Sequence, residues 1–247
     1  MNLDKYKQTN CWNFAGNIDA KSASVYKKYL SFITPLSKAS KVLEIGPGNW
    51  SFLSFLQTTY HLSDHNISTI DISKSVFDWL NEISLTKKFN NNYWDSIEFL
   101  SNHDIKYDLI IMKHVLEHMD KQYISNLIPL LVQSLRTWWQ ILVEIPNIMN
   151  YPFGYYMFFG DFSHYTAFND KSLEEAFLRH TEENIDVRMN NLFLYDIDYT
   201  GILKFLRTGL LKLFYALYIY GWLFFLKLTG LPIKVFTASI LCIVTKK

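Results

Sequence analysis

Apolar residues gather along this chain in five short runs. They are Val42-Leu43-Glu44-Ile45, Ile67 to Ile72, Tyr107 to Met112, Gln140 to Asn147 and Val235 to Val244. Between them, apolar positions recur at helical spacing: Phe52, Leu53, Phe55 and Leu56, then Val76, Leu80 and Ile83, then Ile124, Leu127, Leu130 and Leu131. Strands that alternate with helices in this way predict an α/β fold built on a mostly parallel sheet. A helical pattern also runs from Ala20 to Phe32, behind a polar and aromatic start that holds Trp12 and Phe14. One strand is poorly marked: Asn90-Asn91-Asn92 reads as a loop ahead of Tyr93-Trp94-Asp95.

The ends of the runs carry the candidate chemistry. After the first comes Gly46-Pro47-Gly48-Asn49-Trp50, where glycine lets the backbone turn sharply and a ligand approach it. A tight turn without a ligand would use the same residues, and several nucleotide-binding folds begin this way. Asp71 ends the second run at about the spacing where doubly wound folds place a ribose-binding carboxylate. Its oxygens suit two ribose hydroxyls. A cap on the following helix is its other use.

Composition narrows the classes. The 247 residues can bury a full core, and 24 basic against 23 acidic residues give no electrostatic reason to expect nucleic acid. Cys11 and Cys242 are too few for a disulfide framework or a cysteine metal site, so a reduced, cytoplasmic setting is expected. Met1 to Lys5 open no apolar run of the kind a secretory leader needs.

The glycine turn resembles motif I of the class I methyltransferases, which use S-adenosylmethionine. Glu44 stands two residues before Gly46, with Gly48 following; where that family has a third glycine this chain has Trp50. The stretch from Tyr107 to Met119, YDLIIMKHVLEHM, resembles the fourth-strand motif of methyltransferases related to the ubiquinone-biosynthesis O-methyltransferases. LVEIPN, Leu142 to Asn147, resembles their fifth, and many members serve bacterial surface-glycan pathways. Asp161 to Phe168 with Ser172-Leu173 resembles a later segment of the same group. The resemblance implies a Rossmann-like seven-stranded sheet with an antiparallel last strand. It implies S-adenosylmethionine held by Glu44, Gly46, Gly48, Asp71, Ile72, Asp95 and Lys113, with Asp95 near the adenine. It also implies a cofactor-covering segment at residues 1–40 and a catalytic domain at 41–247. A nicotinamide dehydrogenase is disfavoured, because Glu44 precedes the glycines and no Gly-x-Gly-x-x-Gly is present.

His114-Val115-Leu116-Glu117-His118 also satisfies the inverted zinc-peptidase pattern His-x-x-Glu-His. That motif needs a helix, whereas here it follows directly on a buried strand, and spacing identifies no third ligand. Asp161 and His164 do not establish a metal site either, so none is expected. For methyl transfer a histidine has a simpler task, taking a proton from an aligned acceptor. His118, His114 and His164 are the candidates, with His118 first. Hydrogen bonding to loop backbone is their bland alternative.

Two regions bear on the acceptor. Tyr151 to Tyr165 holds Tyr151, Phe153, Tyr155, Tyr156, Phe158, Phe159, Phe162 and Tyr165, and the loop 148–169 is expected either to wall an acceptor or to cover the sheet. Residues 201–232 read as a helical insertion before the last strand. Lys204, Arg207 and Lys212 precede a charge-free stretch from Leu213 to Leu226, too short to span a bilayer comfortably. It suits a helix lying in the membrane interface, with burial against the protein or a partner as the other reading. The expected activity is O-methylation of a glycan or its lipid- or nucleotide-linked precursor, at the inner face of the membrane. A quinone or other lipophilic small molecule is the alternative acceptor. A degenerate fold acting as a membrane-associated binding protein is the alternative from another class, with Trp50 as its motive. Oligomeric state is not legible.

Overall fold

Strand β1 (Val42–Ile45) is buried along its whole length, as are all but the last residue of β2 (Ile67–Asp71) and of β4 (Tyr107–Lys113), and the second half of β5 (Leu135–Pro146). A parallel sheet covered on both faces has no outward side, so these runs are apolar almost throughout instead of alternating. With β3 (Asn90–Tyr93), β6 (Ile185–Asn191) and β7 (Ser239–Lys246) they form one sheet in the order β3-β2-β1-β4-β5-β7-β6. The computed structural model describes residues 20–48, 50–73, 90–151, 153–191, 209, 213, 214, 217, 218, 221, 228, 235 and 237–247. The pairs β1·β2, β1·β4, β2·β3 and β4·β5 are parallel, while β7 runs antiparallel to both β5 and β6. This is a mixed α/β, Rossmann-like sheet with antiparallel strands at one end.

Side chains alternate across the sheet. Val42, Leu109, Ile111 and Leu142 face α1 (Ala20–Leu30) and α2 (Ser51–Tyr60), packing on Tyr29, Phe52 and Leu53. Leu43, Ile45, Ile110 and Val143 face the other way, onto α3 (Ser96–Asn102), α4 (Lys121–Gln133) and α6 (Asp170–Arg179) through Phe99, Leu127, Leu131 and Phe177. The short α5 (Phe153–Phe159) follows β5. Asn169 and Ser172 close a reciprocal capping box at the start of α6.

Three elements depart from the sequence reading. Asn90–Asn92 is a strand and not a loop, pairing with Ser68, Thr69 and Ile70. The ladder is a main-chain bond set, and an edge strand asks little of its side chains. β5 begins at Leu135 instead of Gln140, with Trp138 at φ 71 and an irregular register opposite Tyr107 and Leu109. β7 begins at Ser239, four residues later than Val235. The helix expected over Val76 to Ile83, the aromatic start of the chain, and Lys204, Arg207 and Lys212 lie outside the described residues.

Between β6 and β7, the described residues Gly209, Leu213, Phe214, Leu217, Tyr218, Gly221 and Leu228 are helical. Leu213, Phe214, Leu217 and Leu228 face solvent. Among the described residues, no helix is long and apolar enough to cross a membrane. The end of β5 is tied to the segment just before β7: Asn147 donates through Nδ2 to the carbonyls of Val235 and Thr237, each at 3.0 Å.

Candidate active site

The sheet order reverses between β1 and β4, and open α/β sheets bind ligands at the carboxyl ends of their strands at such a point. Gly46 opens the turn after β1 at φ 64, its N–H donating to the Ile70 carbonyl at 2.9 Å. A Cβ there would sit 2.6 Å from Val115 Cγ2, so glycine is required both by the dihedral and by the loop after β4. Gly48 has φ 53. Trp50 caps α2 at φ 63, keeping a backbone shape that glycine usually supplies, at a cost of about 1–2 kcal/mol. Its indole is buried with Tyr29, Phe52 and Leu53, so the bulk in place of a third glycine fills the core.

Below this turn, Glu44, Lys113 and Glu144 lie on the α1/α2 face at the ends of the three central strands. Lys113 Nζ is 3.6 Å from Glu144 Oε2, over the rings of Tyr29 and Phe52 at 4.9 Å and Tyr26 at 5.2 Å. Tyr29 donates its hydroxyl to Glu144 Oε2 at 2.7 Å, and His114 Nε2 lies 3.5 Å from Oε1. Burial opposes ionisation of Glu144, but Lys113, His114 and Tyr29 together hold its carboxylate down at about 2. Glu44 is placed differently, with the field of Lys113 as its one favourable charge among the described residues. Burial pushes its carboxyl up to about 8 against the field of Lys113, and Oε2 has no hydrogen-bond partner among the described residues. A buried carboxyl oxygen without a partner among the described residues, beneath a glycine turn, fits a ligand carrying an ammonium group. The α-amino acid end of S-adenosylmethionine is such a ligand.

Asp71 stands at the end of β2, where Oδ1 accepts from the Ser73 N–H at 2.7 Å. Burial raises its carboxyl to about 6, against that hydrogen bond. Ile72 beside it is exposed. Asp95 caps α3 by accepting from the N–H groups of Ile97 and Glu98, and its other oxygen accepts from the Tyr123 hydroxyl at 2.7 Å. Both of its oxygens therefore hold protein, and Lys113 is engaged with Glu144 and three rings.

The histidines part company. His114, at φ 54, has Nδ1 3.1 Å from Glu117 Oε1 while its Nε2 faces Glu144. Desolvation works against protonation, yet the two carboxylates raise its pKa to about 10. It is a clamped cation and a poor proton acceptor, so it drops out of the candidate bases. The segment Leu116–His118 is a single 3-10 turn and not the helix a zinc-peptidase motif would need.

That turn is stitched to the loop after α5. The N–H groups of Tyr165 and Thr166 donate to the Glu117 carbonyl at 2.7 and 3.1 Å, and Thr166 Oγ1 donates to the Met119 carbonyl at 2.7 Å. His118 and His164 are thereby brought edge to face, with ring centroids 4.6 Å apart. His118 Nδ1 lies 2.8 Å from Ser163 Oγ, whose own proton goes to Asp161 Oδ1 at 2.6 Å. Burial, ahead of the opposing field of Glu117, lowers the His118 pKa. His164 Nδ1 donates to the Phe158 carbonyl at 2.8 Å.

A family model for the methyltransferase domain matches residues 18–180. The chain belongs to this family. It is a class I S-adenosylmethionine-dependent methyltransferase, and S-adenosylmethionine is its cofactor. Among solved structures, it is similar to an S-adenosylmethionine-dependent methyltransferase of Archaeoglobus fulgidus, at 19% identity over 91% of this chain and 92% of that one, with a TM-score of 0.60. The geranyl diphosphate C-methyltransferase of Streptomyces coelicolor, solved with Mg2+, geranyl diphosphate and S-adenosylhomocysteine, matches at 7% identity over 91% and 77%, TM-score 0.55. Mitomycin 7-O-methyltransferase matches at 13% identity over 92% of this chain and 55% of that one, TM-score 0.53. No curated protein sequence matches the chain.

Three residues that pack into this arrangement escaped the sequence reading, Tyr29, Glu144 and Ser163, while Glu117 was singled out only for the zinc-peptidase pattern. For Glu144 a signal existed, since a carboxylate within the apolar run Ile141 to Ile145 has to be buried with a partner. Ser163 and Glu117 each have one near partner, Asp161 and His114, but the bonds that bring their two loops together span some 45 residues and left no local trace. Seven of the eight aromatics between Tyr151 and Tyr165 face solvent, Phe158 excepted, so the loop is not a simple cover for the sheet. Gly154 holds α5 against the end of β5, where a Cβ would lie 2.0 Å from the Asn147 carbonyl oxygen.

Proposed function

We propose that this methyltransferase acts on a hydroxyl oxygen of a glycan or of its lipid- or nucleotide-linked precursor, at the inner face of the cell membrane. One observation carries the reading: His164 stands on the same segment as a solvent-facing surface of aromatic rings, among them Tyr155, Phe159 and Phe162, and packs on His118 from the turn after β4. Ring faces suit a sugar or an aromatic acceptor, and the imidazoles beside them suit its hydroxyl. S-adenosylmethionine, when bound, supplies an already activated sulfonium methyl. The chain's own residues then bind, align and receive a proton. Glu44 answers the ammonium, Gly46 and Gly48 admit the ligand close to the backbone, and Asp71 accepts from ribose. His118, oriented by Ser163 and Asp161, and His164 form the proton-accepting side. The exposed Leu213, Phe214, Leu217 and Leu228 support a lipid-facing insertion, which favours a membrane-borne acceptor.

Transfer of labelled methyl from S-adenosylmethionine to lipid-linked saccharides, sugar nucleotides and a phenolic quinone precursor tests this. Label in a saccharide is expected. Label in the phenol alone would replace the glycan by the lipophilic reading. Co-sedimentation with anionic vesicles is expected for the full chain, and its absence at every salt concentration would remove the membrane from the proposal.

A further inference from the structure

We propose that Glu117, His118 and His164 form a binding site for one divalent transition-metal cation. A carboxylate oxygen and one ring nitrogen from each histidine all lie within 4.8 Å of one another. Ligands of a tetrahedral ion at ~2.1 Å sit about 3.4 Å apart, so small side-chain rotations close the site.

The hydrogen bonds decide what each group offers. Glu117 is fully buried; Oε1 faces His114, whereas Oε2 has no partner among the described residues. The hydroxyl proton of Ser163 is given to Asp161, so that hydroxyl accepts from His118 and places the imidazole proton on Nδ1. The Phe158 carbonyl can only accept, which places the proton of His164 on Nδ1 as well. Both rings therefore keep their lone pair on Nε2. A cation would take both nitrogen lone pairs and the carboxylate oxygen that has no partner among the described residues.

The outer contacts have the form that metal-bound histidines use, with the second ring N–H given to a backbone carbonyl or, through a hydroxyl, to a carboxylate. Asp161 Oδ2 lies 4.0 Å from His164 Nε2 and adds negative charge. Two imidazoles and one carboxylate suit ions from manganese to zinc, with positions left open for other ligands. His114 has both nitrogens turned to carboxylates and is not a ligand, so the set differs from the His-x-x-Glu-His peptidase arrangement.

This rests on the acceptor-side placement proposed above and changes how the two histidines act there: with the ion bound, their Nε2 lone pairs hold it and do not take the acceptor's proton. An acceptor hydroxyl on an open position loses its proton to water more readily, because the ion stabilises the oxygen anion left behind.

The test uses the full chain, dialysed against a chelator and titrated with CoCl2, whose visible absorption reports nitrogen and oxygen coordination. One equivalent of Co2+ is expected to bind. Asp161→Asn should weaken it about 10–100-fold, the usual effect of a residue that supports a ligand. Glu117→Gln and His164→Ala should lose the one-equivalent site while S-adenosylmethionine affinity holds, and if the buried Glu117 variant fails to fold, His164→Ala decides. No uptake by the wild type, or uptake unchanged in His164→Ala, overturns the metal. Turnover by stripped enzyme that takes up no Co2+ removes the metal and leaves oxygen methylation standing. Uptake without turnover on any oxygen acceptor does the reverse.

Discussion

The two sides of the proposed site, one for the cofactor and one for the acceptor, are built differently. On the cofactor side, Glu44, Lys113 and Glu144 come from three adjacent strands and meet because the sheet register lines them up, with Lys113 paired to Glu144 in the ladder. On the acceptor side, Glu117, His118, Ser163 and His164 come from two loops some 45 residues apart, held by a few main-chain bonds. A register is set by the whole sheet and resists local change. Loops carry variable chemistry on a fixed frame. A cofactor side that is rigid and an acceptor side that is adaptable is the division of labour expected of one fold serving many acceptors.

The sharpest way to separate the sides is to remove the loop imidazoles. His118→Ala and His164→Ala should each lower turnover by about 10²–10⁴-fold with S-adenosylmethionine affinity nearly unchanged. Turnover on the true acceptor together with calorimetry for the cofactor checks this. If affinity fell in step with turnover, the two sides would be one coupled unit.

Next in size is the register side itself. Glu144→Gln strands Lys113 and His114 without their shared counter-charge and should cost about 3–5 kcal/mol of folding stability. Tyr29→Phe removes one donor to the same carboxylate and should cost less, about 1.5–3 kcal/mol. Urea titration measures both. Equal effects would mean that the hydrogen bond outweighs the buried charges.

Legibility in the sequence followed the same division. Val42 to Ile45 and Tyr107 to Met112 were visible because strands buried on both faces must be apolar, and the glycine turn was visible because Gly46 has no substitute there. Asn90–Asn92 was hidden, since an edge ladder uses main chain alone. Trp50 looked like a defect in a binding turn, and only the packing shows that its ring fills the core. The approach of His118 to His164 was hidden for another reason: spacing along the chain says nothing about which loops a sheet brings together. His114 was a candidate base behind His118, and the two carboxylates around it, which set it apart, are not legible from spacing.

At the edge of the register side, Asp71→Ala should weaken S-adenosylmethionine binding by about 1.5–3 kcal/mol, the scale of hydrogen bonds to a charged group. Calorimetry on a variant with an unchanged melting profile measures it. Unaltered affinity would reduce the carboxylate to its turn with Ser73.

The smallest effect is also the most specific to the register side, and it comes from Glu44. Its pKa in the folded protein is about 8, against an ordinary value of 4.5, so the folded chain holds a proton that the unfolded chain has released between these pH values. Stability of the free protein on this group's account is therefore greatest below about pH 4.5 and declines as pH rises towards 8. Binding has the opposite sign. An ammonium group beside Oε2 favours the carboxylate, so cofactor binding expels the proton and affinity should climb by up to tenfold per pH unit between about pH 6 and 8, then flatten. Titrations in buffers of different ionisation enthalpy should show close to one proton released per cofactor bound near pH 7. Glu44→Gln should abolish both the slope and the proton release, while leaving the Co2+ titration of the acceptor side as in the wild type. A wild-type affinity independent of pH, with no proton released, would mean that Glu44 stays protonated in the complex and only fills the end of β1.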